Sequence, residues 1–310
     1  MSQPFLSIVV PTREGFDEHW LQELVKITGD VEFILVHPPG MKKHEAIDSR
    51  LQQINSSFRG EIIQRMTGML NAQGKYLLTV NCDEYLTPDI VQVAKDYFGA
   101  FPDSWVVRLS RNNFKYGDKS SLDEPWANFS NLASMPVCPL SKDERSEQLS
   151  YEAGNCLLPI PIAPLDNKFD LGCLFRTRKD HHGIHMENFD KKIWKNDLVQ
   201  ATLLDIQETM IIFKAIKYVP FWCLDRLLGL FLQAKFYEKG KTIGHLLPQP
   251  EQIRIEENPP EYRKSGRFYV FAEILLLRKF KQYGYLWNLI VDQLRGSVVR
   301  GFNYALRRSN

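Results

Sequence analysis

Asn81-Cys82-Asp83-Glu84 follows directly on the apolar run Tyr76-Leu77-Leu78-Thr79-Val80 and stands just ahead of Pro88. Carboxylates at the carboxyl end of a strand, before a turn and a helix, suit a hard divalent cation, which takes oxygen ligands and can bridge to a nucleotide diphosphate. Such an ion neutralises charge developing on a leaving diphosphate. The plainer alternative is a solvated turn whose acids cap the helix that Pro88 opens. A second group, His181-His182-Gly183-Ile184-His185, follows Arg176-Thr177-Arg178-Lys179-Asp180. It could contact a diphosphate or supply a metal ligand. It could equally be a polar loop, since Gly183 interrupts any helix and no Cys or matched His pair completes a zinc set.

The elements that must position these residues alternate in type. Leu6 to Val10 is a β-branched run stopped by Pro11, and Val31 to Val36 is a second strand ended by Pro38-Pro39-Gly40. Helical spacing marks Phe16 to Ile27, with Trp20, Leu21, Leu24 and Val25 on one face, and also His44 to Phe58. Glu61-Ile62-Ile63 reads as a third strand, Met66 to Ala72 as a helix, Tyr76 to Val80 as a fourth strand and Trp105 to Leu109 as a fifth, with a helix from Pro88 through Tyr97. This alternation predicts an α/β fold with a doubly wound, mostly parallel sheet. Ligands in such sheets bind beyond the carboxyl ends of the strands. The rule selects the loops Pro11–Glu14, His37–Gly40 and Asn81–Tyr85. From Arg111 to Leu165 periodicity is poor, which predicts long loops with short strands. Leu198 to Phe213, Pro220 to Phe236 and Phe268 to Leu306 read as helical.

The 310 residues are 44% hydrophobic and 25% charged, a balance that buries a sizeable core, and the net charge of +2 gives no call for nucleic acid. From Arg263 to Asn310 there are ten Lys or Arg and two Asp or Glu, a net +8, which leaves −6 on the rest. Five scattered cysteines without a CxxC pair argue against a disulfide framework or structural zinc and for a reducing cytosol. Neither a signal peptide nor a spanning helix is expected.

The opening "SIVVPTRE" and the stretch "GMLNAQGKYLLTVNCDEYLTPD" together resemble the two signatures of family 2 glycosyltransferases of the GT-A fold. In the second signature a helix ends in Ala-x-Gly-Lys/Glu-Tyr, a strand follows, and acids stand five and seven positions before a Pro; here those positions hold Asp83 and Asn81. The resemblance covers about the first hundred residues. It implies a sugar transferred from a nucleotide-sugar donor to an acceptor hydroxyl with inversion, a hexosyltransferase-type step of glycan biosynthesis. Pro11 and Thr12, with Arg13 and Glu14 after them, would line the nucleotide. Asp83, with Glu84 beside it, would hold Mg²⁺ or Mn²⁺ on the diphosphate. Arg65 and Cys82 would lie near the nucleotide.

The sequence departs from the pattern twice. Asn81 brings an amide where the family usually has an acid, and His37 ends a strand that often ends in base-contacting Asp. The acceptor's base would be a carboxylate on a late helix; Asn196-Asp197 is the best match and Asp205 the competitor, with Lys217-Tyr218-Val219-Pro220 a strand ending after them. An exposed helical acid is the other reading of either residue.

Trp287, Val291, Leu294, Val298, Phe302 and Ala305 recur at helical spacing, with Arg295, Arg300, Arg307 and Arg308 mostly off that stripe. Such a helix can lie on an anionic membrane surface, pack on the catalytic domain, or form an oligomer interface. The expected organisation is a GT-A-like catalytic domain over 1–220 and a helical, basic amphipathic C-terminal region over 221–310, cytoplasmic and peripheral on the inner face of a membrane. The acceptor class stays open between a glycan, a lipid-linked sugar and a small molecule. Two competing functions remain: a catalytically inactive glycosyltransferase-like scaffold, which Asn81 and His37 favour, and a nucleotidyltransferase, which the lone glycine of Thr12-Arg13-Glu14-Gly15 disfavours.

Overall fold

The structure is a computed structural model. It describes residues 3–45, 48–118, 120–127, 132–139, 156–180, 187–210, 221–258 and 272–309, with side chains throughout except at 207–210, 221–224, 272 and 300–309. The histidines at 181, 182 and 185 and the segment 217–220 lie outside the described residues.

The strands are β1 (Leu6–Pro11), β2 (Val31–His37), β3 (Leu51–Asn55), β4 (Tyr76–Thr79), β5 (Glu84–Leu86), β6 (Val106–Arg108), β7 (Arg111–Phe114), β8 (Leu158–Pro161), β9 (Lys192–Lys195), β10 (Thr242–Leu246) and β11 (Ile253–Glu256). The helices used below are α1 (Glu18–Val25), α2 (Glu61–Asn71), α3 (Ile90–Ala100), α4 (Ser120–Asp123), α5 (Asn196–Met210), α6 (Phe221–Lys235), α7 (Leu276–Phe280) and α8 (Gly284–Ser309). The large sheet has the spatial order β3-β2-β1-β4-β9-β6-β10-β8, and a small sheet has the order β5-β11-β7. In the large sheet β1, β2, β3 and β4 are mutually parallel, and β6 and β10 are parallel. β9 enters antiparallel between β4 and β6, and β8 closes the far edge antiparallel to β10.

β1 is buried along its whole length because helices cover both faces, so it reads as an unbroken apolar run rather than an alternation. One core, under α2, α5, α6 and α8, joins Val9, Ile34 and Trp105 to Leu203, Phe231, Tyr285 and Leu289. The other, under α1 and α3, joins Ile8, Val10 and Phe33 to Trp20, Leu24, Tyr97 and Phe98.

The mostly parallel α/β sheet agrees with the sequence reading; several elements do not. The segment 44–58 is not a helix: it holds β3, which pairs with β2 from Phe33↔Leu51 to His37↔Asn55. Glu61-Ile62-Ile63 is not a strand but the first turn of α2, which opens at Gly60 (φ 140°) and buries Ile62 and Met69. The expected organisation divides the chain at residue 220. β10 and β11 lie beyond it and complete both sheets, and the later helices share a core with β1 and β2. Cys138 and Cys156 are paired, with Cα atoms 5.6 Å apart beside the bridge Val137↔Leu157, where the scattered cysteines argue against a disulfide framework.

Candidate functional site

All parallel strands end at one edge of the sheet. That edge gathers the turn after β1, the turn after β2 and the turn after β4, and because β9 runs the other way it also gathers the residues that precede β9. The register fixes this: Leu78 faces Ile193, whereas Tyr76 faces Lys195.

The turn after β4 is built from internal bonds. The Asn81 amide N–H donates to Glu84 Oε2 at 3.0 Å, its side-chain amide donates to Glu84 Oε1 at 3.2 Å, and Glu84 N–H donates to Asn81 O at 3.1 Å. The Trp20 indole of α1 donates to Glu84 O at 2.9 Å, and Glu256 N–H at the end of β11 donates to Asp83 O at 3.0 Å. Glu84 itself is 2% exposed. Its carboxylate meets Lys191 Nζ at 3.2 Å. Burial raises its pKa against the pull of Lys191. The sequence places Glu84 beside Asp83 as a metal ligand; in the structure its carboxylate turns inward to Lys191. Asn81 Oδ1 accepts from Arg65, a buried residue of α2 that also reaches Glu61 at 3.3 Å.

Asp83 differs from Glu84. It is half-buried; burial raises its pKa, while the Arg13 guanidinium, and more weakly Lys191, pull it back. Arg13 itself is exposed on the turn after β1, beside Glu14, which pairs with Arg59 at 3.1 Å. Cys82 is buried enough to push its thiol up to about 11, so it is no nucleophile at neutral pH.

The turn after β2 is closed. His37 is fully buried, with Nδ1 2.6 Å from Thr12 Oγ1 and Nε2 2.9 Å from Gln53 Oε1. Gln53 Oε1 also accepts from His44 N–H, and its amide donates to His44 O, both at 2.9 Å. That orients Gln53, so His37 Nε2 carries the proton and Nδ1 accepts from Thr12. Burial lowers the His37 pKa, so the ring stays neutral. The Gln64 amide of α2 donates to Thr12 O at 2.8 Å and Val36 O at 2.7 Å. Thr12, His37, Gln53 and Gln64 therefore hold one another and the ends of β1 and β2 in a fixed wall.

The residues before β9 complete the edge, and the sequence reading passed over them. Lys191 has φ 55°, the one non-glycine with positive φ among the described residues. This conformation costs about 1 kcal/mol or more and turns the chain into β9. Its ammonium lies 3.1 Å from Asp190 Oδ2 as well as 3.2 Å from Glu84, and the two carboxylates raise its pKa against burial. Burial would raise the Asp190 pKa, but Lys191 and Arg65 outweigh it and hold the acid below the usual range. Asp190 Oδ1 is buried with no hydrogen-bond partner among the described residues. Asp225 of α6 clamps this segment from behind: its Oδ1 accepts from Phe189 N–H at 2.6 Å and from Asp190 N–H at 2.5 Å. Burial and the nearby Asp190 push Asp225 up to about 6. Close approach of α6 depends on Gly229, where a Cβ would stand 2.3 Å from Glu187 O. The only sequence signal for this corner is the run Asp190-Lys191-Lys192 before Ile193-Trp194.

Neither acid expected as a base is here. Asp197 lies beyond the other end of β9, where its carboxylate accepts from Leu198 N–H at 2.8 Å. There it lines a depression of about 560 Å³ with Gln3, Gln73 and Lys75, at the amino edge of the sheet. Asp205, on α5, pairs with Lys235 at 2.9 Å and Lys279 at 2.6 Å, a link between helices. No group of three or more His, Cys, Asp or Glu that could cage a metal occurs among the described residues. No described helix is long and apolar enough to cross a membrane.

No family model and no curated protein matches the chain. Among solved structures it is similar to S. aureus TarS 1-349 in complex with UDP-GlcNAc, with 14% identity and a TM-score of 0.47 over 88% of this chain and 66% of that one. It is similar to the same TarS fragment in complex with UDP, with 14% identity and a TM-score of 0.46; this chain spans 65% of that fragment's length, and 88% of this chain is covered. It is also similar to the mannosyltransferase PcManGT from Pyrobaculum calidifontis in complex with GDP-Man and Mn²⁺, with 11% identity and a TM-score of 0.43 over 97% of this chain and 76% of that one. These likenesses are too distant to carry any residue's role across.

Proposed function

We propose that the chain is a glycosyltransferase that takes a sugar from a nucleotide-sugar donor and passes it to an acceptor hydroxyl with inversion. The observation that carries this reading is the pairing of two acids in different states at one sheet edge. Asp83 stands half-open opposite Arg13, and Asp190, its side chain 16% exposed, is held ionised by Lys191 and Arg65. An in-line displacement needs both: a place for the leaving diphosphate and a carboxylate to take the acceptor's proton.

In this reading the rigid wall of Thr12 and His37 seats the nucleoside, and Arg13 faces the diphosphate. Asp83 is the one open acid of its turn. A single carboxylate fits Mg²⁺ or Mn²⁺ that arrives with its nucleotide, since such ions take their remaining ligands from phosphate and water rather than from a protein cage. When bound, the ion neutralises charge on the leaving diphosphate. Asp190, kept ionised by Lys191 and Arg65, replaces Asp197 and Asp205 as the base.

The test is transfer and hydrolysis across a panel of UDP- and GDP-sugars with Mn²⁺. Turnover of at least one donor, abolished in Asp83→Ala with the fold intact, is expected. Absence of binding and turnover for every donor contradicts the reading. Binding without turnover favours an inactive glycosyltransferase-like protein, the alternative that the commitment of Asn81 Oδ1 to Arg65 supports.

A further inference from the structure

Away from the sheet edge, the segment from Lys168 to Asp180 lies strapped along α8. Asn288 donates to Lys168 O at 3.2 Å and to Asp180 Oδ2 at 2.8 Å, and it accepts from Asp170 N–H at 2.7 Å. One turn on, Asp292 accepts from Arg178 N–H at 3.2 Å; Arg295 then donates to Thr177 Oγ1 at 3.1 Å. Gly284 permits the close start, because a Cβ there would stand 2.4 Å from Asn167 O. The strap is thus held on the 288, 292, 295 face of the helix, while Tyr285, Leu286, Leu289 and Ile290 face the core.

What the strap and helix leave outward is apolar. Leu171 is 65% exposed, Phe175 87%, Trp287 41% and Val298 71%, with Leu174 and Leu294 also exposed. Trp287, Leu294 and Val298 share one helical stripe next to the strap. The strap and the stripe meet in a depression of about 400 Å³ lined by Lys168, Phe169, Lys281 and Trp287. A large exposed apolar patch of this kind marks an interaction surface.

Charge selects the partner. The acids of this face already have partners: Asp170 meets Arg176 at 3.0 Å, Asp292 meets Arg295 at 2.8 Å, and Asp166 meets Lys239 at 2.6 Å. Lys168, Lys179 and Lys281 are exposed and carry no acidic partner among the described residues. Aromatic and aliphatic side chains projecting from a basic rim fit an interface whose outer layer is anionic and whose interior is hydrocarbon. We propose that this face, with the Leu171–Phe175 turn as its wedge, docks the protein on an anionic lipid bilayer. None of the residues on this face is among those assigned to the sheet edge, so the proposal does not depend on the chemistry assigned there.

The test uses the full chain, co-sedimented with phosphatidylcholine vesicles that contain about 30% phosphatidylserine or none, at roughly 0.1 M and 0.5 M salt. Expected is binding to the anionic vesicles, at least about tenfold weaker without phosphatidylserine and weakened by salt. Leu171→Ser with Phe175→Ser lowers the partition about tenfold or more at unchanged thermal stability, because both side chains are already in solvent. Lys168→Glu with Lys281→Glu does the same and abolishes the preference for phosphatidylserine. The proposal is overturned by wild-type protein that stays in the supernatant, or by vesicle binding that neither variant changes. Self-association that the Leu171 and Phe175 variant abolishes, without vesicle binding, also overturns it and makes the face an interface between copies of this chain.

Discussion

Strand β9 has a carboxylate just beyond each end: Asp190 two residues before Lys192, and Asp197 two residues after Lys195. The two acids sit in opposite circumstances. Asp190 is clamped by Asp225, paired with Lys191 and keeps one oxygen unbonded in a buried corner. Asp197 is exposed at the first turn of α5, where its carboxylate accepts from the Leu198 backbone N–H. What separates them is strand direction. In a sheet whose other central strands run the opposite way, the start of β9 shares an edge with the turns after β1 and β4, and its end faces away. An acid near a late helix is therefore well placed only if the chain reaches it on the correct edge.

Around β9, the largest expected effect is on Asp190. Asp190→Asn should lower transfer by about 10² to 10⁴ fold while donor binding persists, because a base acts in the transition state more than in the ground state. Next comes Lys191→Met, which leaves Glu84 and Asp190 buried without their shared cation. Chemical denaturation should show a loss of about 3–5 kcal/mol, the usual cost of breaking a buried pair from one side.

Asp225→Asn keeps an oxygen for the Phe189 and Asp190 amides but cannot ionise. Asp225 faces Asp190 and Lys192, and its pKa is raised to about 6, above the ordinary carboxylate value. A raised carboxylate contributes stability below its unfolded pKa and loses it as pH rises through the folded value. Wild type should thus lose stability relative to Asp225→Asn between roughly pH 4 and 6, on the order of 1.4 kcal/mol per unit. Equal pH profiles would remove Asp225 from this role. The smallest effect belongs to the other end of β9: Asp197→Ala should leave transfer unchanged and stability within about 0.5 kcal/mol. If transfer instead falls as far as in Asp190→Asn, the assignment of the two ends is reversed.

Much of the fold was legible because buried parallel strands are nearly continuous apolar runs. Leu6 to Val10, Val31 to Val36 and Tyr76 to Thr79 stand out from any helix pattern in that way. β3 did not, since Leu-Gln-Gln-Ile-Asn lies at the sheet's edge, where burial demands little apolar surface. The first turn of α2 imitated a strand because Ile62 and Ile63 are adjacent and β-branched; only the longer spacing from Ile62 to Met69 reveals a helix. β9 was the costlier omission. Lys192 and Lys195 bracket two apolar residues, and nothing local says that Lys192 is buried, with burial and Arg108 lowering its pKa to about 7. In the site, Asp83 was found through its distance to Pro88. The inward turn of Glu84 and the locking of His37 depend on Lys191 and Gln53, partners distant in sequence that only the folded chain supplies.

The most direct test of the central claim is calorimetric binding of UDP-GlcNAc and GDP-Man, with and without Mn²⁺, to wild type, Asp83→Ala and Asp190→Asn. The expected result is Mn²⁺-dependent binding of at least one donor by wild type and Asp190→Asn, weakened about tenfold or more in Asp83→Ala at unchanged fold. Binding that Asp83→Ala leaves intact, or wild-type protein that binds neither donor under any condition, contradicts a nucleotide-sugar site at this edge of the sheet.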